Sequence, residues 1–254
     1  MTLISASVMH DLAPDGVLKA AINLGNPVLV QHDEHSGQYK GISFELAKAL
    51  ATELNVRLEP VIFDAAGKVF SALQEDRWRV AFLAIEPVRE AELAFSEPYV
   101  VIEGTYLVRD DSPYVNAKDL DRSDVTIAVG KGAAYDLFLS RTLKHARLER
   151  ASTSAGAVDL FLESRLQAAA GVRQPLEEAA LTNSGLRVLS DSFTAIQQAM
   201  AVPKQFAAGA EFVRDFLVRQ KTEGFITAAL TRNGQDAQLA ASVSSISSRP
   251  HALL

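Results

Sequence analysis

Residues Val80–Val100 read VAFLAIEPVREAELAFSEPYV. The run opens with apolar, uncharged residues, the composition of a strand buried on both faces. Glu86-Pro87 breaks it, and Pro87 is placed to begin a helix. Arg89 follows, about one turn beyond the strand end, before the apolar-aromatic cluster Phe95-Ser96-Glu97-Pro98-Tyr99. An arginine so placed can aim a planar fork of donors into a crevice bordered by strand ends. Equally, it can pair with Glu86 or Glu92 on a solvated helix face.

Outward from this stretch, short β-branched runs alternate with amphipathic segments, the pattern of an α/β chain with mainly parallel sheets. Before it come a strand in VLKAAINLG, a helix over Ser43–Leu54, and a strand in RLEPVIF. In the helix, Phe44, Ala47, Leu50, Ala51 and Leu54 recur at spacings of three and four. Asp64 sits where an N-cap would satisfy the first amides of a helix carrying Val69, Phe70 and Leu73. After Tyr99, EGTYLVRDDSPYV runs from strand into linker, and DVTIAVGKGAAYDLFLSRTL begins a new strand-turn-helix unit, the entry to a second lobe. AGAVDLFLESRLQAAAGV adds a helix and a strand, and LRVLSD another strand. AIQQAMAVPK is a strand that carries the chain back to the first lobe, before two helices that meet near Glu223-Gly224. The Ser- and Ala-rich segment from Gln235 to Leu254 has no clear period and is expected to be loosely held.

The 254 residues are enough for one large core or two modest ones. A net charge of -6, spread without long runs, gives no footprint for nucleic acid or an anionic membrane. With no cysteine, thiolate metal sites, disulfides and cysteine nucleophiles are excluded. His32 and His35 are close together, in a polar loop that reads as a solvated turn, and no metal or cofactor is expected. No apolar run reaches the roughly 20 residues of a membrane span. The start, MTLISASVMHDLAPDG, lacks the basic and apolar regions of a signal peptide. That start fits either an exported protein whose signal is removed or a cytoplasmic one that begins at Met1.

Two more strand ends carry candidate chemistry. In VGKGAAYDLF, Val129–Phe138, glycines between strand and helix permit a tight turn and leave helix amides free for an anion. Lys131 is followed by Gly132-Ala133, so the phosphate-cradling lysine motif is absent. In AAAGVRQP, Arg173 ends an apolar strand. Ligands of open α/β sheets collect outside such strand ends.

These residues together resemble the family-3 extracytoplasmic solute-binding proteins of amino-acid ABC transporters. The resemblance spans Asp15 to Gly234. IEPVREAELAFSEPYV is similar to the family's I-T-x-x-R-x-x-x-x-x-F-S-x-P-Y signature at Ile85, Arg89, Phe95, Ser96, Pro98 and Tyr99. YKGISFELAKALATELNV resembles its G-F-D-x-D-L-A helix, and KDLDRSDVTIAVGKGAAYD its D-L-x-G-x-x-V-x-V-x-x-G-T segment. The resemblance implies the type II periplasmic-binding-protein fold: two Rossmann-like lobes, 1–103 with 200–254 and 104–199, with a ligand cleft between them and two crossover hinge strands.

It also implies a site. Arg89 would clamp a ligand carboxylate, backbone groups of Ala84 and Ile85 and the turn Gly132-Ala133-Ala134 would complete the anion site, and Asn26, Glu86, Arg173 and Gln198 would border it. The family's threonine in I-T-x-x-R is Glu86 here, and Asn26-Pro27 stands where an aromatic platform is expected. Val172 replaces the aspartate that accepts a ligand ammonium, with Arg173 beside it, which implies a preference for anions over zwitterions unless Arg173 points to solvent and Glu86 holds the ammonium. The function implied is binding of a small carboxylate-bearing solute, an amino acid or organic acid, by a periplasmic monomer that delivers it to an ABC permease. The alternative is a dehydratase-like enzyme on the same fold, with Glu86 as the acid.

Overall fold

The computed structural model describes residues 4–242. Its helices are α1 (Ala6–Leu12), α2 (Ile42–Glu53), α3 (Ala66–Ser71), α4 (Pro87–Glu90), α5 (Ala134–Thr142), α6 (Ser154–Glu163), α7 (Arg173–Thr182), α8 (Ala207–Thr222) and α9 (Phe225–Arg232). Its strands are β1 (Val17–Asn23), β2 (Gln31–Asp33), β3 (Gln38–Lys40), β4 (Arg57–Phe63), β5 (Val80–Ala84), β6 (Leu93–Arg109), β7 (Thr126–Gly130), β8 (Arg147–Ala151), β9 (Ala168–Val172), β10 (Leu186–Val188) and β11 (Thr194–Pro203).

One nine-stranded sheet has the order β4-β1-β5-β11-β6-β9-β7-β8, with β10 on β6. Parallel sets lie at its two ends: β4-β1-β5 in the first half and β9-β7-β8 in the second. Two antiparallel strands, β11 and β6, join them. All of β5 and β9 is buried, as their uninterrupted apolar sequences require of strands covered on both faces. The 17-residue β6 changes partner along its length, pairing with β11 from Leu93 to Gly104 and with β9 from Gly104 to Leu107. The two-lobed α/β architecture with crossing strands follows from this exchange.

Helices cover the faces. α2 buries Ile42, Leu46 and Leu50 at a spacing of four, with Ala47 and Ala51 beside them. Phe44 is only half-buried and packs against Tyr39. On one face of the first half, Trp78 fills a cluster with Phe63, Val69 and Leu93, and its indole N–H donates to the Val69 carbonyl at 3.1 Å. Phe161 does the same for the second half with Leu107, Leu166 and Leu176. Each such side chain contributes about 1.5–3 kcal/mol by leaving water.

Several local expectations are corrected. Asp64 is not the cap of α3: the helix begins after Ala65, and the Asp64 carboxylate takes a hydrogen bond from Lys68 at 2.7 Å. The segment after Gln235 is held at least to Ser242, because Ala240 bridges to Val100 and Lys221 donates to the Ser242 carbonyl at 2.9 Å. The rest of the Gln235–Leu254 expectation lies outside the described residues. Elements the sequence reading passed over are α1, whose Asp11 accepts from the Gly209 amide, the β2–β3 hairpin, β8 and α7. Among the described residues no helix is long and apolar enough to cross a membrane.

Candidate functional site

The ends of β1, β5, β7 and β9 converge where the two halves face each other. β1 stops at Asn23, whose side chain accepts from the Gly25 amide at 2.9 Å. Asn26 then holds the loop by accepting from Val28 through its side chain and from Leu29 and Val30 through its carbonyl. β5 stops at Ala84, which lies opposite Gln198 of β11, and the Ile85 amide donates to Gln197 at 2.9 Å. From the second half, Gly132 turns at φ +72°, a conformation that suits glycine, and delivers the chain to α5. Its amide donates to the buried Asp136 carboxylate at 2.8 Å, and Arg150 pairs with that same carboxylate at 3.0 Å. The first amides of α5 have no acceptor within the helix, and Ala133 offers no side chain to cap them.

Arg89 sits at the centre, 1% exposed. Its Nη1 donates to the carbonyl of Ala84 at 2.9 Å and its Nη2 to that of Gly132 at 2.8 Å. Its Nε is buried without a hydrogen-bond partner among the described residues. A buried donor left alone costs about 1–3 kcal/mol, more on a charged group. Burial pulls the guanidinium down to about 10, against the pull of the neighbouring Glu86 carboxylate, so it remains a cation at neutral pH.

Arg89 borders a cavity of about 40 Å³ with Asn26, Ala84, Ala133, Ala134 and Gln198. Phe82, Tyr135, Ser154, Val172 and Ile196 complete much of the wall. Tyr135 donates to Ser154 at 2.9 Å, and burial pushes its phenol up. Gly25, Asn26, Tyr135, Ser154 and Val172 also line a second chamber of about 610 Å³. Leu24, Pro27, Val158 and Leu176 make much of that chamber apolar, and its charged wall residues are Asp64, Asp159 and Glu178. Among the described residues lining the two spaces, Arg89 is the one basic side chain.

Four of the residues expected at the site do not line the inner cavity: Ile85, Glu86, Gly132 and Arg173. Gly132 touches a lining residue through the carbonyl that Arg89 binds. Glu86 is 7% exposed and pairs with Arg141 near the end of α5. Arg173 is turned away from the cavity, with its Nε on Glu103, its Nη1 on the Leu189 carbonyl at 3.0 Å, and its Nη2 on Ser190 and Asp191 carbonyls. It supplies no second cation to the cleft wall. Ile196 is missing from the sequence reading although it lies two residues from Gln198 on one strand face, a signal that period two could have given. Tyr135 and Ser154 come from different elements, and no spacing links them.

The family model of the bacterial extracellular solute-binding proteins, family 3, matches residues 18–241. Among solved structures, an amino acid ABC transporter substrate-binding protein from Streptococcus pneumoniae bound to L-arginine is 22% identical, with a TM-score of 0.75 over 94% of this chain and 100% of that one. The cysteine-binding protein from Campylobacter jejuni is 19% identical, with a TM-score of 0.76 over 91% of this chain and 93% of that one. An ancestral amino acid-binding protein, a precursor of cyclohexadienyl dehydratase, is 24% identical, with a TM-score of 0.74 over 89% and 99%. Among curated proteins none matches the chain.

Proposed function

The chain belongs to the bacterial extracellular solute-binding proteins, family 3, and we propose that it binds a small solute through a carboxylate held in the cleft between its two lobes. The observation that carries this reading is the partnerless Nε of Arg89. Nη1 and Nη2 are engaged by main-chain carbonyls, and Arg89 borders the same small cavity as Ala133 and Ala134. A carboxylate that reached Arg89 there would accept hydrogen bonds from Nε and from the second N–H of Nη2, and meet the free amides of α5.

Size and charge narrow the solute. The inner cavity, about 40 Å³, has room for a carboxylate-sized head, since a water needs about 10–15 Å³ by the same kind of measure. The remainder of the solute extends into the 610 Å³ chamber. There the wall is apolar with carboxylates and without a second cation, so a distal anionic group is disfavoured and a neutral or cationic one accepted. The anion preference expected from Arg173 is given up for this reason. The arginine bound to the Streptococcus pneumoniae neighbour has this distribution of charge.

Lobes of residues 1–103 with 200–254 and 104–199, of which 1–3 and 243–254 lie outside the described residues, would hinge near the point where β6 exchanges β11 for β9. Closure by a hinge would present a surface to an ABC permease, and periplasmic delivery by a monomer completes the reading. Binding is favoured over catalysis because Glu86, the acid a dehydratase would use, is committed to Arg141 outside the cavity lining. A thermal-shift screen with the twenty standard L-amino acids, followed by product analysis of any that stabilise, tests both points. Stabilisation without turnover is expected; conversion of the solute would establish the enzyme instead.

A further inference from the structure

Three contacts join the lobes without calling on the solute. Arg89 of the first lobe binds the Gly132 carbonyl of the second. Glu86 of the first pairs with Arg141 of the second, which also lies over the Phe138 ring at 5.6 Å. Gly67, on α3 of the first lobe, packs directly on the Lys131–Gly132 turn of the second. A Cβ added at Gly67 would stand 2.6 Å from the Lys131 carbonyl oxygen and 3.1 Å from the Gly132 Cα, and one added at Gly132 would stand 2.8 Å from the Gly67 Cα. Two bare glycines thus let the backbones of the two lobes touch.

We propose that Gly67 and the Glu86–Arg141 pair form an interlobe clasp that sets the closure equilibrium, so that residues touching no solute tune its apparent affinity. This rests on the two-lobed, solute-binding reading. Where only the closed form binds tightly, the apparent dissociation constant is the intrinsic one divided by the closed fraction. Direct protein contacts raise that fraction before any solute arrives. The obstacle a Gly67 side chain would meet is main chain, which cannot rotate aside, so relief requires the lobes to part. Gly67 has an ordinary backbone conformation within a helix, where alanine is the better helix former. A merely structural glycine would therefore gain or keep stability on replacement by alanine, and the lobes would still close.

The test needs no identified solute. The chain has no cysteine, so spin labels on cysteines introduced at the exposed positions Thr52 (α2) and Leu181 (α7) report one interlobe distance. Without solute, the parent protein should show a short-distance population. Gly67→Ala should shift the closed-to-open ratio about tenfold toward the longer distance, with an unchanged or higher melting temperature. Arg141→Met should shift it in the same direction and Arg141→Lys should restore part of it. A distribution without the short component in the parent, or one unchanged by both Gly67→Ala and Arg141→Met, overturns the clasp. Failure of every carboxylate to bind would instead overturn the solute reading and leave the distance result standing on its own.

Discussion

The Nη2 of Arg89 donates to the main-chain carbonyl of Gly132 at 2.8 Å, a contact between residues 43 apart in sequence that ties the end of β5 to the turn before α5. Because Nη1 holds the Ala84 carbonyl at the same time, the guanidinium plane is fixed before it meets a solute. A lysine keeps the charge but has one nitrogen, so it cannot hold both carbonyls and a carboxylate in one plane. Arg89→Lys should weaken carboxylate binding by more than about 1.4 kcal/mol, or tenfold, in calorimetric titration. Unchanged affinity in a folded variant would contradict the clamp, and would also show that the bond to Gly132 does not bias closure.

Binding should also depend on pH in one direction. Burial holds Arg89 at about 10, well below the ordinary guanidinium range, and a carboxylate binds only the cation. Affinity should therefore be level over roughly pH 6–9 and fall as pH rises through about 10. For stability, the unfolded chain holds this proton more tightly than the folded one. The burial penalty is thus fully present at neutral pH and is relieved as pH rises through about 10 toward the ordinary guanidinium range. Calorimetry from pH 7 to 11 checks the first point, and a fall complete by pH 8 would assign the titration to another group.

Lys221 offers a test of the fold away from the cleft. Its side chain is 2% exposed, and its Nζ binds the Glu97 carboxylate at 3.2 Å and the Pro98 and Ser242 carbonyls at 3.0 and 2.9 Å. Lys221→Met leaves Glu97 without its partner and frees the segment at Ser242. Urea unfolding should show a loss of about 1–3 kcal/mol, and limited proteolysis should cut sooner near residues 235–242. A variant as stable and as resistant as its parent would contradict the tether.

Much of the frame could be read from sequence because strands buried on both faces have uninterrupted apolar runs, as in β5 and β9. β8 escaped because three of the five residues in Arg147-Leu148-Glu149-Arg150-Ala151 are charged, which suits a half-exposed edge but reads as loop. α7 escaped because Pro175 looks like a breaker, yet it falls in the first turn, where a missing N–H breaks no helical bond. Within the site, position alone left Arg89 open between cleft and solvated helix face, and only the resemblance of IEPVREAELAFSEPYV to a family signature pointed to the cleft, where Arg89 is buried beside the inner cavity. The direction of Arg173 was not legible: a strand end fixes where a side chain begins, while Glu103 and three carbonyls from the 189–191 loop decide where it points. The outer chamber joins the loop after β1 to α6 and α7, and only the folded chain brings those together.

The most direct test of carboxylate binding at Arg89 is calorimetric titration of matched pairs, each stabilising L-amino acid against its C-terminal amide, on the parent protein and on Arg89→Lys. The account predicts that the acid binds the parent, that the amide binds at least about tenfold more weakly, and that this preference collapses in Arg89→Lys. Equal binding of acid and amide to the parent, or a preference that survives in Arg89→Lys, would contradict it.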